Sequence, residues 1–113
     1  MSRSRGQRDT LLYRAVRRGR VDLISVLLRA GASVDQPVST PLAYTPLISA
    51  SDRGHLQAVE VLIAARADVN RLASNGSTSL YVASQSGHAQ VARVLIAAGA
   101  NVHRARPHRR RPR

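Results

Sequence analysis

Thr45-Pro-Leu-Ile-Ser-Ala-Ser-Asp-Arg-Gly54 is the stretch that decides the fold of this 113-residue chain, together with the apolar run after it, Leu56-Gln-Ala-Val-Glu-Val-Leu-Ile-Ala-Ala-Arg-Ala-Asp-Val69. The Thr45 side chain can accept a hydrogen bond from an unpaired N–H of a first helical turn, and Pro46 suits the next position because no N–H is needed there. Gly54 comes where a two-turn helix ends in a left-handed residue. The stretch therefore predicts a short helix, a turn and a second helix with an apolar stripe.

The same pattern occurs three times along the chain. Thr10 and Gly19 form the first pair of helix cap and turn residue, and Thr78 and Gly87 form the third, so that successive threonines are 35 and then 33 residues apart. The second helices share apolar residues at helical spacing, which are Leu23, Val26, Leu27, Ala30, Val59, Val61, Leu62, Val91, Val94 and Leu95. One helix pair cannot bury both of its faces, so neighbouring pairs must stack into a continuous core.

This pattern resembles the ankyrin repeat over about residues 9–103. The matching residues are Thr45-Pro46-Leu47 with Ala50, Gly54-His55, Gly87-His88, Ala67-Asp68-Val69-Asn70 and Gly99-Ala100-Asn101-Val102. The resemblance implies an all-α solenoid of three helix-turn-helix repeats, at about residues 9–37, 43–72 and 76–103, which are joined by hairpin-like turns. It also implies that His55 and His88 bridge turns of adjacent repeats.

Some positions depart from the pattern of the family. Tyr13, Ile48 and Tyr81 stand where the first helix of the family has histidine. Arg66 replaces the glycine at the end of the second repeat, and a non-glycine residue in a left-handed conformation costs on the order of 1 kcal/mol. The second repeat is therefore expected to be the weakest.

Two linkers join the repeats and differ in length: a first finger (residues 36–44) and a second finger (residues 71–77). The first finger is two residues longer, lacks glycine and contains two prolines. The second finger contains Asn75-Gly76, a strong signal for a hairpin turn. We therefore expect an irregular first finger.

The net charge of +12 comes from the two ends of the chain. Of the 18 basic residues, all of them arginine, seven lie in residues 1–20 and six in residues 104–113. Residues 1–8 are expected to be flexible and residues 104–113 disordered. The tail arginines are Arg104, Arg106, Arg109, Arg110, Arg111 and Arg113. They could form a nuclear-import signal, bind nucleic acid or acidic protein weakly and without specificity, or only increase solubility.

Residue types that would carry catalysis or bind a cofactor are not grouped in this sequence. The absence of cysteine excludes disulfides and thiolate metal sites, and His103 and His108 have no third metal ligand nearby in the sequence. We therefore expect no enzyme, no cofactor and no metal. No apolar stretch is long enough for a signal peptide or a membrane span, which favours an intracellular protein of the cytoplasm or nucleus.

The resemblance implies a concave surface that binds a protein partner, formed by the first helices and the tips of the turns. Its positions in this chain are Arg17, Arg18, Asp52, Arg53, Gln85 and Ser86 on the helices, and Gln7, Asp9, Leu42, Tyr44, Asn75 and Ser77 at the turn tips. Tyr44 is the candidate anchor because tyrosine combines apolar area with a polar tip. It could equally pack under the long first finger, and most of the other positions could simply be solvated.

The two ends of the stack are expected to differ. Arg14, Arg17, Arg18 and Arg20 can form the polar outer face that a terminal repeat needs. The third repeat keeps apolar residues at Val91, Val94, Leu95 and Ile96, which predicts exposed apolar surface. That surface would serve a partner, self-association or continuation of a longer array. Three functions stay open: a protein-interaction scaffold, an arginine-driven binder of nucleic acid or anionic surfaces, and a structural fragment of a longer array.

Overall fold

The computed structural model describes residues 5–38 and 40–104, and the side chains of residues 10–38 and 40–103. This part of the chain contains six α-helices and no strand. The helices are α1 (Arg5–Arg17), α2 (Val21–Arg29), α3 (Pro46–Arg53), α4 (Leu56–Ala64), α5 (Ser79–Gln85) and α6 (Ala89–Ala97), followed by one 3-10 turn at Val102–Arg104.

The helices stack in two layers. In the first layer α3 packs against α1 and α5, and in the second layer α4 lies between α2 and α6. The two helices of each repeat pack against each other, so that nearly all tertiary contacts join neighbours in the stack. The predicted all-α solenoid of three helix pairs is therefore confirmed.

The core lies between the two layers and is built from aliphatic side chains. Leu12 and Val16 of α1, Leu47 of α3 and Leu62 of α4 are completely buried, as is Leu95 of α6. One continuous cluster joins these residues across all three repeats. Stacking therefore buries the apolar faces that a single helix pair would expose.

Two of the first helices begin at the threonine predicted to cap them. The hydroxyl oxygen of Thr45 accepts a hydrogen bond from the N–H of Ile48 at 3.2 Å, and that of Thr78 accepts one from the N–H of Tyr81 at 3.1 Å. α3 ends at Arg53 and is followed by Gly54, whose φ of 73° is left-handed. Caps and turn thus set the length of these helices as the sequence predicts.

The first repeat begins differently from the prediction. α1 starts at Arg5, so Thr10 lies inside the helix and not at its cap. Residues 5–8, which were expected to be flexible, and the predicted turn-tip residues Gln7 and Asp9 also belong to α1. No turn comparable to Asn75-Gly76 precedes Thr10, and glutamine and arginine favour helix, so the helix continues towards the N-terminus.

The first finger is the irregular one, as its length predicts. The N–H of Val38 bonds to the carbonyl of Tyr44 at 3.1 Å, whereas in the second finger the N–H of Ala73 bonds to the carbonyl of Ser77 at 2.9 Å. The first bond therefore closes a loop two residues longer. Ala43 takes a φ of 52° at the position that glycine fills in the second finger.

The second repeat ends in a left-handed residue that is not glycine. Arg66 has a φ of 72°, where the other two repeats have a glycine with φ near 100°. The sequence prediction of a left-handed arginine is confirmed.

Candidate partner-binding surface

Two histidines join adjacent repeats. The Nε2–H of His55 donates to the carbonyl of Arg17 at 3.1 Å, and the Nε2–H of His88 donates to the carbonyl of Asp52 at 3.1 Å. Each ring also covers the glycine that follows the first helix of the preceding repeat. A Cβ at Gly54 would lie only 2.6 Å from the ring of His88. Both histidines bridge repeats, as the resemblance implies.

A second set of bridges joins the ends of the repeats. The carboxylate of Asp35 accepts a hydrogen bond from the N–H of Asp68 at 2.9 Å, and the side-chain oxygen of Asn70 accepts one from the N–H of Asn101 at 2.8 Å. The amide group of Asn70 also donates to the carbonyl of Gly99 at 3.3 Å. Sequence reasoning missed this role, although the 35-residue spacing of Asp35 and Asn70 was a usable signal.

The predicted helix positions of the concave surface divide into two groups. Arg17, Arg18, Arg53 and Gln85 are exposed. Asp52 is half-buried and accepts a hydrogen bond from the hydroxyl of Ser86 at 2.9 Å. This hydrogen bond links Asp52 of α3 to Ser86, the residue directly after α5. Both side chains therefore already have a structural contact within the stack.

Four arginines line one cavity between the first two repeats. Arg14 and Arg17 of α1, Arg18 directly after it and Arg53 of α3 surround a volume of about 220 Å³, which we name the arginine cavity. Arg14 was predicted to belong to the outer face of the first repeat, and the structure places it beside the predicted partner-contacting arginines. Packing of α1 on α3 brings the two repeats together here.

Tyr44 is half-buried at the base of the first finger. It packs with Tyr81 against a small cluster of Ile48, Ala73 and Val82. Burial and the nearby charges of Asp52 and Tyr13 raise the pKa of the Tyr44 phenol above its ordinary value of 10.0. Tyr44 therefore packs under the first finger, and part of its side chain still reaches the surface.

The finger tips place the remaining candidates. Leu42 and Asn75 are exposed, and the N–H of Ser74 bonds to the carbonyl of Leu42 at 2.8 Å, which aligns the two fingers. Ser77 is only 2% exposed, so its prediction as a partner contact is wrong. Its N–H bonds to the side chain of Asn75 and its carbonyl to Ala73, which holds Ser77 inside the turn.

The first repeat is not covered by arginine as the sequence suggested. Leu11, Leu23 and Val26 are 45%, 42% and 58% exposed. They line a groove of about 310 Å³ whose other lining residues include Arg14 and Arg18. The arginines therefore border an apolar groove and do not cover it.

The third repeat exposes less apolar surface than expected. Val91 and Leu95 are buried and Val94 is half-buried, because they face the core that α6 shares with α5 and α4. Ile96 and Val102 are about half exposed. The predicted exposure is thus correct for Ile96 and wrong for Val91 and Leu95.

Several predictions concern residues whose side chains the structure does not describe. These are Gln7, Asp9, Arg104, Arg106, His108, Arg109, Arg110, Arg111 and Arg113. Among the described residues, no group of three or more potential ligands is placed to hold a metal ion. None of the described helices is both long enough and apolar enough to span a membrane.

Comparison with known proteins gives one family. A family model described as ankyrin repeats (3 copies) matches residues 12–106. The chain is 35% identical over 74 residues to the Caenorhabditis elegans ankyrin repeat and KH domain-containing protein mask-1, covering 66% of this chain and 3% of that protein. It is 39% identical over 70 residues to a putative ankyrin repeat-containing protein of Treponema pallidum, covering 62% of this chain and 23% of that protein.

A third similarity concerns a protein named as an enzyme. The chain is 40% identical over 73 residues to the palmitoyltransferase Hip14 of Drosophila melanogaster, covering 65% of this chain and 11% of that protein. The chain thus spans less than a quarter of the length of each of these three relatives. The family model matches most of the length of this chain, which shows that the chain belongs to the ankyrin repeat family.

Proposed function

We propose that this chain is a non-catalytic interaction module that binds a protein partner through its concave surface. Ankyrin repeats are generally protein-interaction modules, and the fold alone names no partner. The observation that carries the proposal is the alignment of exposed polar side chains from all three repeats. Arg17, Arg53 and Gln85 come from successive first helices, and the described residues give none of them a side-chain hydrogen bond or ion pair.

The alignment is held by structural contacts. The histidine bridges join α1 to the second repeat and α3 to the third, and the bond from Ser74 to Leu42 joins the fingers. A surface that is already ordered loses less conformational entropy on binding, which favours affinity. Asn75 and Leu42 extend the surface at the finger tips.

The cellular location and the absence of a cofactor belong to the same proposal. A module of this kind acts in the cytoplasm or the nucleus and needs no cofactor. Weak nucleic-acid binding by the tail and self-association through the third repeat stay predictions. Nucleic-acid binding measured at increasing salt concentration, with and without residues 104–113, tests the first prediction. Sedimentation at several protein concentrations tests the second.

Site-specific photocrosslinking tests the binding surface. A photoreactive amino acid is placed at one of four exposed positions. Two belong to the proposed surface, Gln85 on α5 and Asn75 in the second finger, and two lie on the opposite helix layer, Gln57 on α4 and Gln90 on α6. We expect one protein to be crosslinked from Gln85 and from Asn75, and not from Gln90 or Gln57. The crosslinked protein is then purified and its affinity measured by calorimetry.

The same experiment defines failure. With the purified partner, Arg53→Ala should weaken binding by about tenfold, as for removal of a contact near the centre of an interface. Gln57→Ala, on the opposite layer, should leave the affinity unchanged. Crosslinks that form only from Gln57 and Gln90, or equal effects of the two substitutions, would reject the concave surface as the binding site.

A further inference from the structure

The arginine cavity concentrates positive charge from two repeats in one place. Arg14, Arg17 and Arg18 lie within a five-residue stretch at the end of α1 and directly after it, and Arg53 is the last residue of α3. They line one cavity of about 220 Å³. In the sequence Arg53 is 35 residues or more from the other three, so only the stacking of α3 on α1 assembles the group.

None of these four guanidinium groups is neutralised by a described carboxylate. The ion pair found among the described side chains joins Arg20 to Asp22 at 3.7 Å, outside the cavity. Asp52 precedes Arg53, but its carboxylate is bonded to Ser86 on the side of α5. Four like charges around a small volume repel one another, so an anion between them removes an unfavourable interaction and adds favourable ones.

We propose that the arginine cavity binds the phosphate group of a phosphorylated serine, threonine or tyrosine on a partner protein. The inference rests on the proposed function, since it assigns chemistry to the partner of the same concave surface. A phosphate monoester carries a charge of about −1.5 to −2 and three acceptor oxygens. It therefore matches several forked guanidinium donors better than a carboxylate, which has one charge and two oxygens.

The dimensions of the cavity favour a modified side chain over other phosphate compounds. Its 220 Å³ is smaller than the roughly 300–1,000 Å³ of typical small-molecule sites. All four lining residues are arginines, so no aromatic ring lines it on which a base could stack. The phosphate can enter from solvent, because all four lining arginines are exposed.

Nuclear magnetic resonance of the arginine Nε–H groups tests the assignment. The full chain is titrated at constant ionic strength with a short alanine peptide that contains phosphoserine, with the same peptide containing glutamate, with inorganic phosphate and with an oligothymidylate. We expect saturable shifts at Arg14, Arg17, Arg18 and Arg53. Binding of the phosphoserine peptide should be at least about tenfold tighter than that of the glutamate peptide. Inorganic phosphate should compete for the same four groups.

Two double variants with the same net charge provide the control. Arg17→Gln with Arg53→Gln removes two of the four arginines that line the cavity. Arg29→Gln with Arg71→Gln removes two exposed arginines elsewhere. The first pair should weaken phosphopeptide binding by about a hundredfold, at about tenfold per charged hydrogen bond lost. The second pair should change it less than threefold, as expected for an effect of overall charge alone. Circular dichroism checks that both variants fold.

Several outcomes would overturn the inference. Uniform shifts of all described arginines, or equal losses in the two double variants, would show binding to bulk charge. Equal affinity for the glutamate peptide would show a general site for acidic peptides, and tighter oligothymidylate binding at the same four groups would show a nucleic-acid site. If phosphate selectivity fails while the crosslinks from Gln85 persist, the proposed function stands and only its phosphate chemistry is lost.

Discussion

At the scale of single residues, a histidine ring lies against one left-handed glycine, Gly54, but not against another, Gly87. Gly54 and Gly87 are both left-handed, with φ of 73° and 80°. The ring of His88 covers Gly54, whereas nothing lies within 4 Å of a Cβ at Gly87. The two glycines therefore separate the conformational cost of a side chain from its steric cost.

Alanine at these two positions is predicted to have unequal effects. Gly87→Ala should lower the free energy of unfolding by about 1 kcal/mol, the cost of the left-handed conformation alone. Gly54→Ala should lower it by more, because its Cβ also displaces the His88 ring. Urea unfolding measures both values, and adding His88→Ala to Gly54→Ala should remove part of the excess. Equal losses at the two glycines would contradict the contact.

Arg66 offers the opposite experiment, a substitution that stabilises. Its φ of 72° suits glycine, so Arg66→Gly should raise the free energy of unfolding by up to about 1 kcal/mol. Arg71→Gly is the control, because it removes the same side chain from a residue without a positive φ. Chemical denaturation of the two variants should show a gain only for the first; a gain in both would point to charge and not to backbone strain.

Tyr44 gives the fold a dependence on alkaline pH. Its pKa is raised in the folded state by burial, Asp52 and Tyr13, so the unfolded chain loses this proton first as the pH rises. The stability that the protonated phenol contributes is complete below the ordinary pKa of 10.0 and declines above it. Tyr44→Phe should therefore make the fall in unfolding free energy above pH 10 less steep. An unchanged slope would exclude this contribution.

At the scale of elements, the capping threonines show where sequence reasoning succeeds. Thr45 and Thr78 cap their helices because a finger precedes each and delivers the chain in an extended conformation, with ψ near 167°. A similar sequence follows Thr10, but the described residues before it, from Arg5 on, are helical, so Thr10 lies inside α1. The cap was thus predictable from local residues only where the preceding turn was also present.

The capping oxygen of Thr78 can be removed with little change in shape. Thr78→Val should destabilise the chain by about 1 kcal/mol, because the N–H of Tyr81 loses its acceptor at the start of a short helix. Hydrogen exchange at the Tyr81 amide should become faster. Thr78→Ser keeps the oxygen and should preserve the protection of that amide. Equal exchange in both variants would argue against the cap.

The fingers show what local rules leave open. The extra length of the first finger and its lack of glycine predict irregularity, and the loop closed by Val38 and Tyr44 confirms it. That Ala43 would take the left-handed position was not predictable, because alanine carries no signal for a positive φ. The buried position of Ser77 also depends on how the finger packs, which a turn signal does not contain.

At the scale of the whole molecule, periodicity predicts the stack but not the surfaces that stacking creates. Three registers of the same pattern imply helix pairs in line, and the structure has them. The arginine cavity and the apolar groove of the first repeat each depend on which side chains meet between two helices. A larger side chain next to Arg14 or Leu23 would fill the cavity or the groove. The spacing of residues in the sequence therefore does not predict either space.

The stack also predicts where unfolding spreads. Leu62 and Leu95 are both completely buried, but among the described helices α4 has a neighbour of its own layer on each side, whereas α6 has one on one side only. Leu62→Ala and Leu95→Ala should each cost about 2–5 kcal/mol. In hydrogen exchange, Leu62→Ala should expose amides of all three repeats, and Leu95→Ala mainly those of α5 and α6. Identical exchange patterns would mean that the chain opens only as one unit.

The paired bridges between repeats have a geometric consequence. One bridge alone would leave a repeat free to rotate about it, but each interface has a second bridge at a distance, from His55 and Asp35 between the first two repeats and from His88 and Asn70 between the last two. Two separated points determine the angle between neighbours, and the sum of these angles determines the curvature of the whole stack. The distance between Arg17 and Arg53 therefore depends on residues that do not line the arginine cavity, so this distance can change in evolution without alteration of the arginines themselves.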